Sequence, residues 1–543
     1  MPCFLPDLFD PVASLCLNGR GLRGFFILNY YPEEFYGGNV SKNFLQFNKV
    51  SFHYESSAEN IFSDITLHVA EGWTGIIGAS GAGKTTLLKL AAGIIQPTEG
   101  NIIIQANIEY CEQRTDELPE NHYDLFHDYS KESFRLIDQL ELKEEWLSRW
   151  NTLSHGERKR VQIATALFRK PEILAVDEPT NHLDKGTRTK LIASLKQYKG
   201  VGLIVSHDRD LLDTLCFQCL FLNESGAIIF KGGYTEANQQ FEEYKRSAVQ
   251  EYNESKSEVL RLKKEYAKRA LLADKSKRDS SKRHISQKDR DAKSKIDAGR
   301  VTGRDAIGGK LKKQMEGRLT QKEVEFSKKT LPKTNALGIK FETEISKRNS
   351  VLNLDEGVLP LGEEKALSYP QLIISGNDRI GLKGPNGCGK STLLSFIENQ
   401  LNLERDEFTY IPQEIDLGET EQLMSQINEL SNDRYGELLI IISRLGSDAK
   451  RILDTELPSP GETRKLMLGL GILNKPKLII MDEPTNHMDL PSIICLENAL
   501  RESNCPYLLV SHDERFLENL CEIFWIIDGD KNSSSKMVLK VQL

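Results

Sequence analysis

The sequence predicts an α/β protein made of two homologous halves joined by a long basic helical hairpin. Three observations carry this. The stretch "VDEPTNHLDK" at 176–185 returns almost unchanged as "MDEPTNHMDL" at 481–490. Glycine-rich "GASGAGKT" (78–85) and "GPNGCGKS" (384–391) repeat at nearly the same displacement, 306 against 305 residues. Between the copies, residues 245–333 hold 27 Lys+Arg against 13 Asp+Glu, a net of +14 inside a chain whose total is −8.

Two further pairs keep the register: "LSHGERKR" (153–160) with "PSPGETRK" (458–465), and "LIVSHDRDLLDTLC" (203–216) with "LLVSHDERFLENLC" (508–521). Four matches in one order define an internal repeat. The expected organisation is residues 1–42 as an N-terminal extension, 43–235 as the first module, 236–334 as the basic linker and 335–543 as the second module. The first 42 residues fit no part of the repeat. They are expected to be a lineage-specific extension, or sequence upstream of a natural start near Val40.

Composition narrows the class. With 39% apolar and 28% charged residues the chain reads as an ordinary globular protein. No run approaches the roughly 18 apolar residues of a membrane span. The N-terminus has no basic start followed by an apolar run, so it does not read as a signal peptide. Of nine cysteines only Cys216 and Cys219 have metal-like spacing, with no second pair nearby. The thiols read as reduced, and the setting as cytoplasmic.

Within the linker, residues 241–278 contain no Pro or Gly, and their apolar positions recur at three- and four-residue steps. That pattern predicts a long, narrow-striped helix packed on another helix. A returning helix is expected over 308–329, with the reversal within 288–309. A solvated spacer needs no excess of positive charge, so the segment points to a polyanion.

Both glycine-rich stretches satisfy G-x-x-x-x-G-K-[ST], each between a strand-like run and an apolar helical start. Glycines let the backbone turn its N–H groups onto phosphate oxygens at a helix N-terminus. Candidate phosphate-binding residues are Gly78, Ser80, Gly81, Gly83, Lys84, Thr85 and Thr86, and Gly384, Asn386, Gly387, Gly389, Lys390, Ser391 and Thr392. Thr85 and Ser391 offer hydroxyls to Mg²⁺. The apolar runs "EILAVDE" and "KLIIMDE" end in carboxylate pairs. Asp177 and Asp482 are placed to hold Mg²⁺, Glu178 and Glu483 to polarise an attacking water. Tyr54 is placed to stack on a base. The second module has only "LPL" (359–361) there, which predicts weaker base discrimination. Cys388, inside the second loop, suggests sensitivity to thiol reagents.

Together these motifs resemble the nucleotide-binding module of ATP-binding cassette proteins, and "DEPTNHLD" is similar to the hallmark of their ABC-F branch. The resemblance covers roughly 43–543. It implies two tandem P-loop cassettes that close head-to-tail on two ATP molecules and hydrolyse them. Ser154, Gly156 and Glu157 would then face the second phosphate loop, and Ser459, Gly461 and Glu462 the first. By the same resemblance Gln113 and Gln413 link γ-phosphate and metal to the rest of each cassette. His207 and His512 hold γ-phosphate and water, and Asp184 and Asp489 lie on loops crossing between cassettes. Pro458 and Pro460 depart from the family signature, which suggests a slower second signature.

The resemblance further implies the 70S ribosome as partner, entered at the tRNA exit site, with the basic hairpin meeting tRNA and 23S rRNA near the peptidyl-transferase centre. Antibiotic resistance by ribosome protection is the expected role. A housekeeping translation factor and the ATPase subunit of a membrane transporter stay open.

Overall fold

The computed structural model describes residues 44–542, apart from 56–59, 224–225, 328–349, 363–364, 531–532, most of 280–303 and of 448–457, and three single positions. The N-terminal extension lies outside the described residues.

In the first module, β1 (Leu45–Phe52), β2 (Phe62–Val69) and β4 (Glu99–Ile104) form an antiparallel sheet in the order β2-β1-β4. Strands β3 (Gly72–Gly78), β5 (Ile108–Cys111), β6 (Ile173–Asp177), β7 (Val201–Val205), β8 (Gln218–Asn223) and β9 (Gly226–Lys231) form a second sheet, ordered β5-β6-β7-β3-β8-β9. Its first five strands run parallel, and β9 closes the edge antiparallel. Near-continuous apolar runs such as "ILAVD" and "VGLIV" are buried along their whole length. Parallel strands covered on both faces require this.

The second module repeats the plan with one change. Strands β10 (Ser350–Leu354) and β13 (Leu372–Ser375) pair alone. The others are β11 (Gly357–Leu361), β12 (Lys365–Tyr369), β14 (Arg379–Lys383), β15 (Phe408–Ile411), β16 (Leu478–Asp482), β17 (Tyr507–Val510), β18 (Ile523–Asp530) and β19 (Ser533–Gln542). They form one sheet, β11-β12-β19-β18-β14-β17-β16-β15. The long β19 bridges, pairing antiparallel with β18 and parallel with β12. It thus joins the β11–β12 hairpin to the central sheet.

Nine helices matter below: α1 (Lys84–Ala91), α2 (His155–Phe168), α3 (Arg209–Leu215), α4 (Tyr234–Asp279), α5 (Arg304–Ser327), α6 (Lys390–Gln400), α7 (Pro460–Leu473), α8 (Leu490–Glu502) and α9 (Glu514–Leu520). The linker is α4 and α5. At 1.5 Å per residue, the 46 residues of α4 reach about 70 Å. The pair is antiparallel: Tyr252 meets Phe326 at 4.9 Å between ring centroids, and Lys263 pairs with Glu323 at 2.9 Å. Val259, Leu262 and Met315 are buried along the helical pair. Helix α5 starts at Arg304, so residues 304–309, predicted to belong to the reversal, are helical instead. Their glycines cost helix propensity, and the extended antiparallel packing outweighs it.

At its root, α4 docks on the first module, Phe241 stacking on Phe221 at 4.2 Å with Tyr234 and Ala237 buried beside it. One buried apolar cluster runs from Leu211, Leu212 and Phe241 to Met488, Leu517 and Leu520, so the two modules share a core.

Candidate functional site

The carboxyl ends of β3, β6 and β7, neighbours in one parallel sheet, carry the phosphate loop, the carboxylate pair and the "SHD" segment. Parallel sheets collect ligand-facing groups at that edge. β14, β16 and β17 do the same in the second module.

Backbone geometry demands the glycines. Gly83 (φ 89°) and Gly389 (φ 96°) precede α1 and α6 in the left-handed region. A Cβ on Gly83 would lie 2.5 Å from Ile61 Cγ2, and one on Gly389 2.6 Å from Leu361 Cδ2. Gly81 and Gly387 also have positive φ. The cradle is wrapped so tightly that only glycine fits. Lys84 Nζ donates to the carbonyls of Gly78 and Ala79 at 2.9 Å, and Lys390 Nζ to Gly384 and Pro385 at 2.8 and 3.1 Å.

Opposite each loop stands its carboxylate pair. Thr85 Oγ1 donates to Asp177 Oδ2 at 2.7 Å, and Ser391 Oγ to Asp482 Oδ2 at 2.6 Å. The other oxygens, Asp177 Oδ1 and Asp482 Oδ1, are buried with no hydrogen-bond partner among the described residues. A hydroxyl beside a carboxylate with an unused buried oxygen is a donor set that fits a hard divalent cation.

Glu178 (φ 44°) and Glu483 (φ 51°) sit in the left-handed region, which side-chain-bearing residues rarely adopt. Their N–H groups donate to Val205 and Val510 at 2.9 Å. Such strain concentrates at functional positions. Burial drives both carboxyls up in pKa, Glu483 to about 7; beside Glu178, Asp177 adds to the rise. The backbone N–H groups of His207 and His512 donate to Glu178 Oε2 (3.3 Å) and Glu483 Oε2 (3.1 Å). His207 Nε2 lies 3.0 Å from Glu178 Oε1, and burial, with Lys84 nearby, keeps that imidazole neutral.

The two modules face each other head-to-tail. A cleft of about 3080 Å³ is lined by residues 78–86, Gln113, Asp177, Glu178 and His207 of the first module. Ser459, Gly461, Glu462 and Lys465 of the second line the same cleft. Asp489 Oδ2 accepts from the Ser80 N–H at 2.5 Å, and Lys465 Nζ stands 3.7 Å from the same carboxylate. Burial opposes ionisation of Asp489, but Lys465 and the Ser492 and Ser80 donors hold its pKa below the ordinary carboxylate value. In the opposite arrangement burial opposes ionisation of Asp184, and the Thr187 donors, with His512 of the other cassette nearby, hold its pKa below the ordinary carboxylate value.

A scan of protein families matches the "ABC transporter" model at residues 62–181 and 368–486, once in each module. The chain is 29% identical over 508 residues to the "Ribosome protection protein VmlR" of Bacillus subtilis, covering 90% of this chain and 85% of that one. It is 28% identical to the "Erythromycin resistance ATP-binding protein MsrA" of Staphylococcus epidermidis, covering 84% and 91%. The chain is a tandem-cassette protein of the ABC-F type. Archaeal ribosome recycling factor aABCE1, solved with the ribosomal stalk protein aP1, shares its fold at a TM-score of 0.58 and 18% identity, covering 90% and 89%. Its cassettes bind ATP and make it an ATPase.

Within the ABC-F frame, the signature helices α2 and α7 begin with reciprocal capping boxes. Glu157 Oε2 accepts from the Ser154 N–H and Oγ at 2.9 and 2.8 Å. Glu462 Oε2 does the same for Ser459 at 2.9 and 2.7 Å. Each glutamate, and the serine hydroxyl that donates to it, is therefore engaged in capping, and Gly156 or Gly461 lies beside that cap in the first helical turn. Pro460 occupies the first turn of α7 without disturbing the box. Tyr54 is 41% exposed at the cleft, its hydroxyl 3.1 Å from Thr86 Oγ1. In the second cassette the hairpin tip offers Leu361 instead. The side chains of Gln113 and Gln413 are exposed.

Cys388 departs from expectation. It is 1% exposed, turned into the apolar core of the second cassette, and burial raises its pKa. A buried protonated thiol is inert.

Sequence reading missed one pair of matched residues. Lys159, wholly buried in α2, donates to the Glu112 carbonyl at 2.5 Å and to that of Asp177 at 2.9 Å. Its counterpart Arg464 in α7 reaches the carbonyls of Pro412, Gln413, Glu483 and Asn486 at 2.5–3.3 Å. Each cation ties its signature helix to the segments carrying the glutamine and the carboxylate pair. The signal was a cation at a helix position facing the core, inside "GERKR" and "GETRK".

Proposed function

We propose that the chain is an ATP-driven ribosome factor that inserts its α4–α5 hairpin toward the peptidyl-transferase centre from the tRNA exit site, conferring antibiotic resistance by ribosome protection. The observation that carries this reading is a hairpin segment of net +14 rooted where two acidic cassettes share a core. A strongly basic arm on an otherwise acidic body suits the phosphates of tRNA and 23S rRNA. The names of the two relatives, one for ribosome protection and one for erythromycin resistance, support the same direction.

In this mechanism the first phosphate loop and Lys84 hold the β- and γ-phosphates of ATP, and Ser459 and Gly461 close on them from the second cassette. Lys390 and its loop work in the same way with Ser154 and Gly156. Tyr54 stacks on adenine. Thr85 with Asp177, and Ser391 with Asp482, would hold Mg²⁺, assisted by Gln113 and Gln413. When bound, the ion neutralises phosphate charge and orients the in-line attack. Glu178 and Glu483 accept a proton from the attacking water, oriented by His207 and His512. Closure on ATP presents the arm and hydrolysis withdraws it, in a cytoplasmic setting.

Other proteins matched, such as the ATP-binding protein Uup of Buchnera aphidicola (26% identity), carry no resistance in their names. A translation factor acting without any drug is the second reading. A transporter subunit would need a separate membrane partner, since no helix among the described residues is long and apolar enough to cross a bilayer.

The test is the double variant Glu178→Gln with Glu483→Gln. With ATP it should co-sediment with 70S ribosomes at low salt and arrest growth, whereas wild type releases. Recovery with membranes, or no ribosome association at low salt, would overturn the proposal. Drug susceptibility with and without the wild-type chain separates protection from housekeeping.

A further inference from the structure

The root of the arm is held by a clamp that neither cassette makes alone. Helix α4 begins with Tyr234 and Thr235, and Asp213 of α3 caps it. Asp213 Oδ1 accepts from the Thr235 N–H at 2.7 Å, and Oδ2 from the Thr235 hydroxyl at 2.6 Å. Gly233 is pressed onto this residue, for a Cβ there would lie 2.7 Å from Asp213 Cα. From the second cassette, Arg515 closes over the same cap. Its Nη1 lies 2.7 Å from Asp213 Oδ2 and 3.3 Å from Thr235 Oγ1, while its Nε pairs with Asp210.

Both sides of the clamp lie next to a nucleotide-facing histidine. Helix α3 starts two residues after His207, and Arg515 stands three residues after His512. The intervening residues interlock as well. Asp513, which caps α9 by accepting from the Phe516 N–H at 3.0 Å, lies 3.1 Å from Arg209 Nη2. Arg209 is buried and also reaches Glu497 at 2.6 Å. Charges at repeat-matched positions are reversed: Asp210 corresponds to Arg515, and Arg209 to Glu514. The contact is therefore heterologous and fixes one register between the cassettes.

We propose that Arg515 is the positioning residue through which movement of the His512 segment is transmitted to the root of α4. With the cassettes closed, Arg515 bonds Asp213 and Thr235, so α3, α9 and the first turn of α4 move as one body. When the cassettes part, the guanidinium leaves, and the arm follows the first cassette alone. The coupling concerns only the closing motion of an ATPase, and holds whatever the arm touches.

The experiment measures a distance along the arm. The full chain carries Glu178→Gln and Glu483→Gln to arrest hydrolysis. Cys3→Ser and Cys16→Ser join them, because the seven described cysteines are buried and do not compete for label. Spin labels are placed at the exposed positions Glu99→Cys and Leu271→Cys. Saturating ATP should change the label-to-label distance in this chain. Adding Arg515→Ala should leave ATP stoichiometry as it was but abolish at least two thirds of the distance change. Arg515→Lys, which keeps the charge, should restore part of it. A full distance change in the Arg515→Ala chain would overturn the proposal. So would loss of ATP binding in step with the distance change, which marks a merely structural residue, or an arm that ATP does not move at all.

Discussion

Asp489, in the second cassette, accepts a hydrogen bond from the backbone N–H of Ser80, in the first cassette's phosphate loop, at 2.5 Å. Both aspartates cap their own helices, Asp489 accepting from Ser492 N–H at 2.8 Å and the matched Asp184 from Thr187 N–H at 3.0 Å, and the bond to the opposite phosphate loop is an addition at Asp489. A charge-assisted hydrogen bond contributes roughly 1.5–3 kcal/mol. Asp489→Ala is therefore expected to lower ATP turnover about tenfold or more, and Asp184→Ala clearly less. Steady-state turnover of the two variants, side by side, checks the difference.

The pH dependence follows from the buried glutamates. Glu483 has its folded pKa pushed up to about 7 from an ordinary 4.5, and Glu178 is raised further. Only the ionised form serves as base, so kcat/KM should rise with pH through about 7 and above. Stability has the opposite sign. The folded chain binds more protons than the unfolded one between pH 4.5 and 7, so this contribution is full below 4.5 and lost as pH rises through 7. The loss is on the order of 3 kcal/mol for Glu483, at 1.36 kcal/mol per pH unit. Glu483→Gln and Glu178→Gln stay neutral. Denaturant melts from pH 5 to 8 should show a flatter profile for the variants.

Lys159 and Arg464 brace the signature helices. Lys159→Met removes the donor for two carbonyls, an unsatisfied-acceptor cost of roughly 1–3 kcal/mol for each. Melting temperature should fall, with turnover falling beyond what the lost stability explains. Arg464→Lys keeps the charge but cannot span four carbonyls, so it should lose turnover with a smaller change in melting.

Tyr54 and Leu361 should separate the two sites by base preference. Stacking contributes roughly 1–3 kcal/mol per base. Tyr54→Ala is expected to weaken ATP at the first loop about tenfold, while Leu361→Ala changes the second less. Equilibrium titration with ATP and GTP, with the other loop disabled, checks it. Strong discrimination against GTP at the second site would count against an aliphatic base pocket.

Much of this architecture was legible because it rests on local rules. Strand-length apolar runs ending in "VDE" and "MDE", glycines forced by positive φ, and a Pro-free helical stripe each announce themselves within a dozen residues. What could not be read lies in contacts distant along the chain. The Ser80–Asp489 bond spans 409 residues and the Arg515–Thr235 bond 280. Neither leaves a periodic signal. Lys159 lies inside the repeated "GERKR", and only its position on the core-facing side of α2 separates it from the less buried cations on either side. Cys388 failed for the same reason: only the β18 strand packed behind the loop shows that the thiol faces the core.

The pairing of each phosphate loop with the other cassette's signature helix is tested most directly by counting bound ATP in the hydrolysis-arrested chain, Glu178→Gln with Glu483→Gln. Lys84→Ala with Ser459→Arg strikes one composite site twice and should leave a single ATP per chain. Lys84→Ala with Ser154→Arg strikes both sites and should leave none. If the first combination abolishes binding and the second retains one ATP, each cassette completes its own site, and the head-to-tail account is wrong.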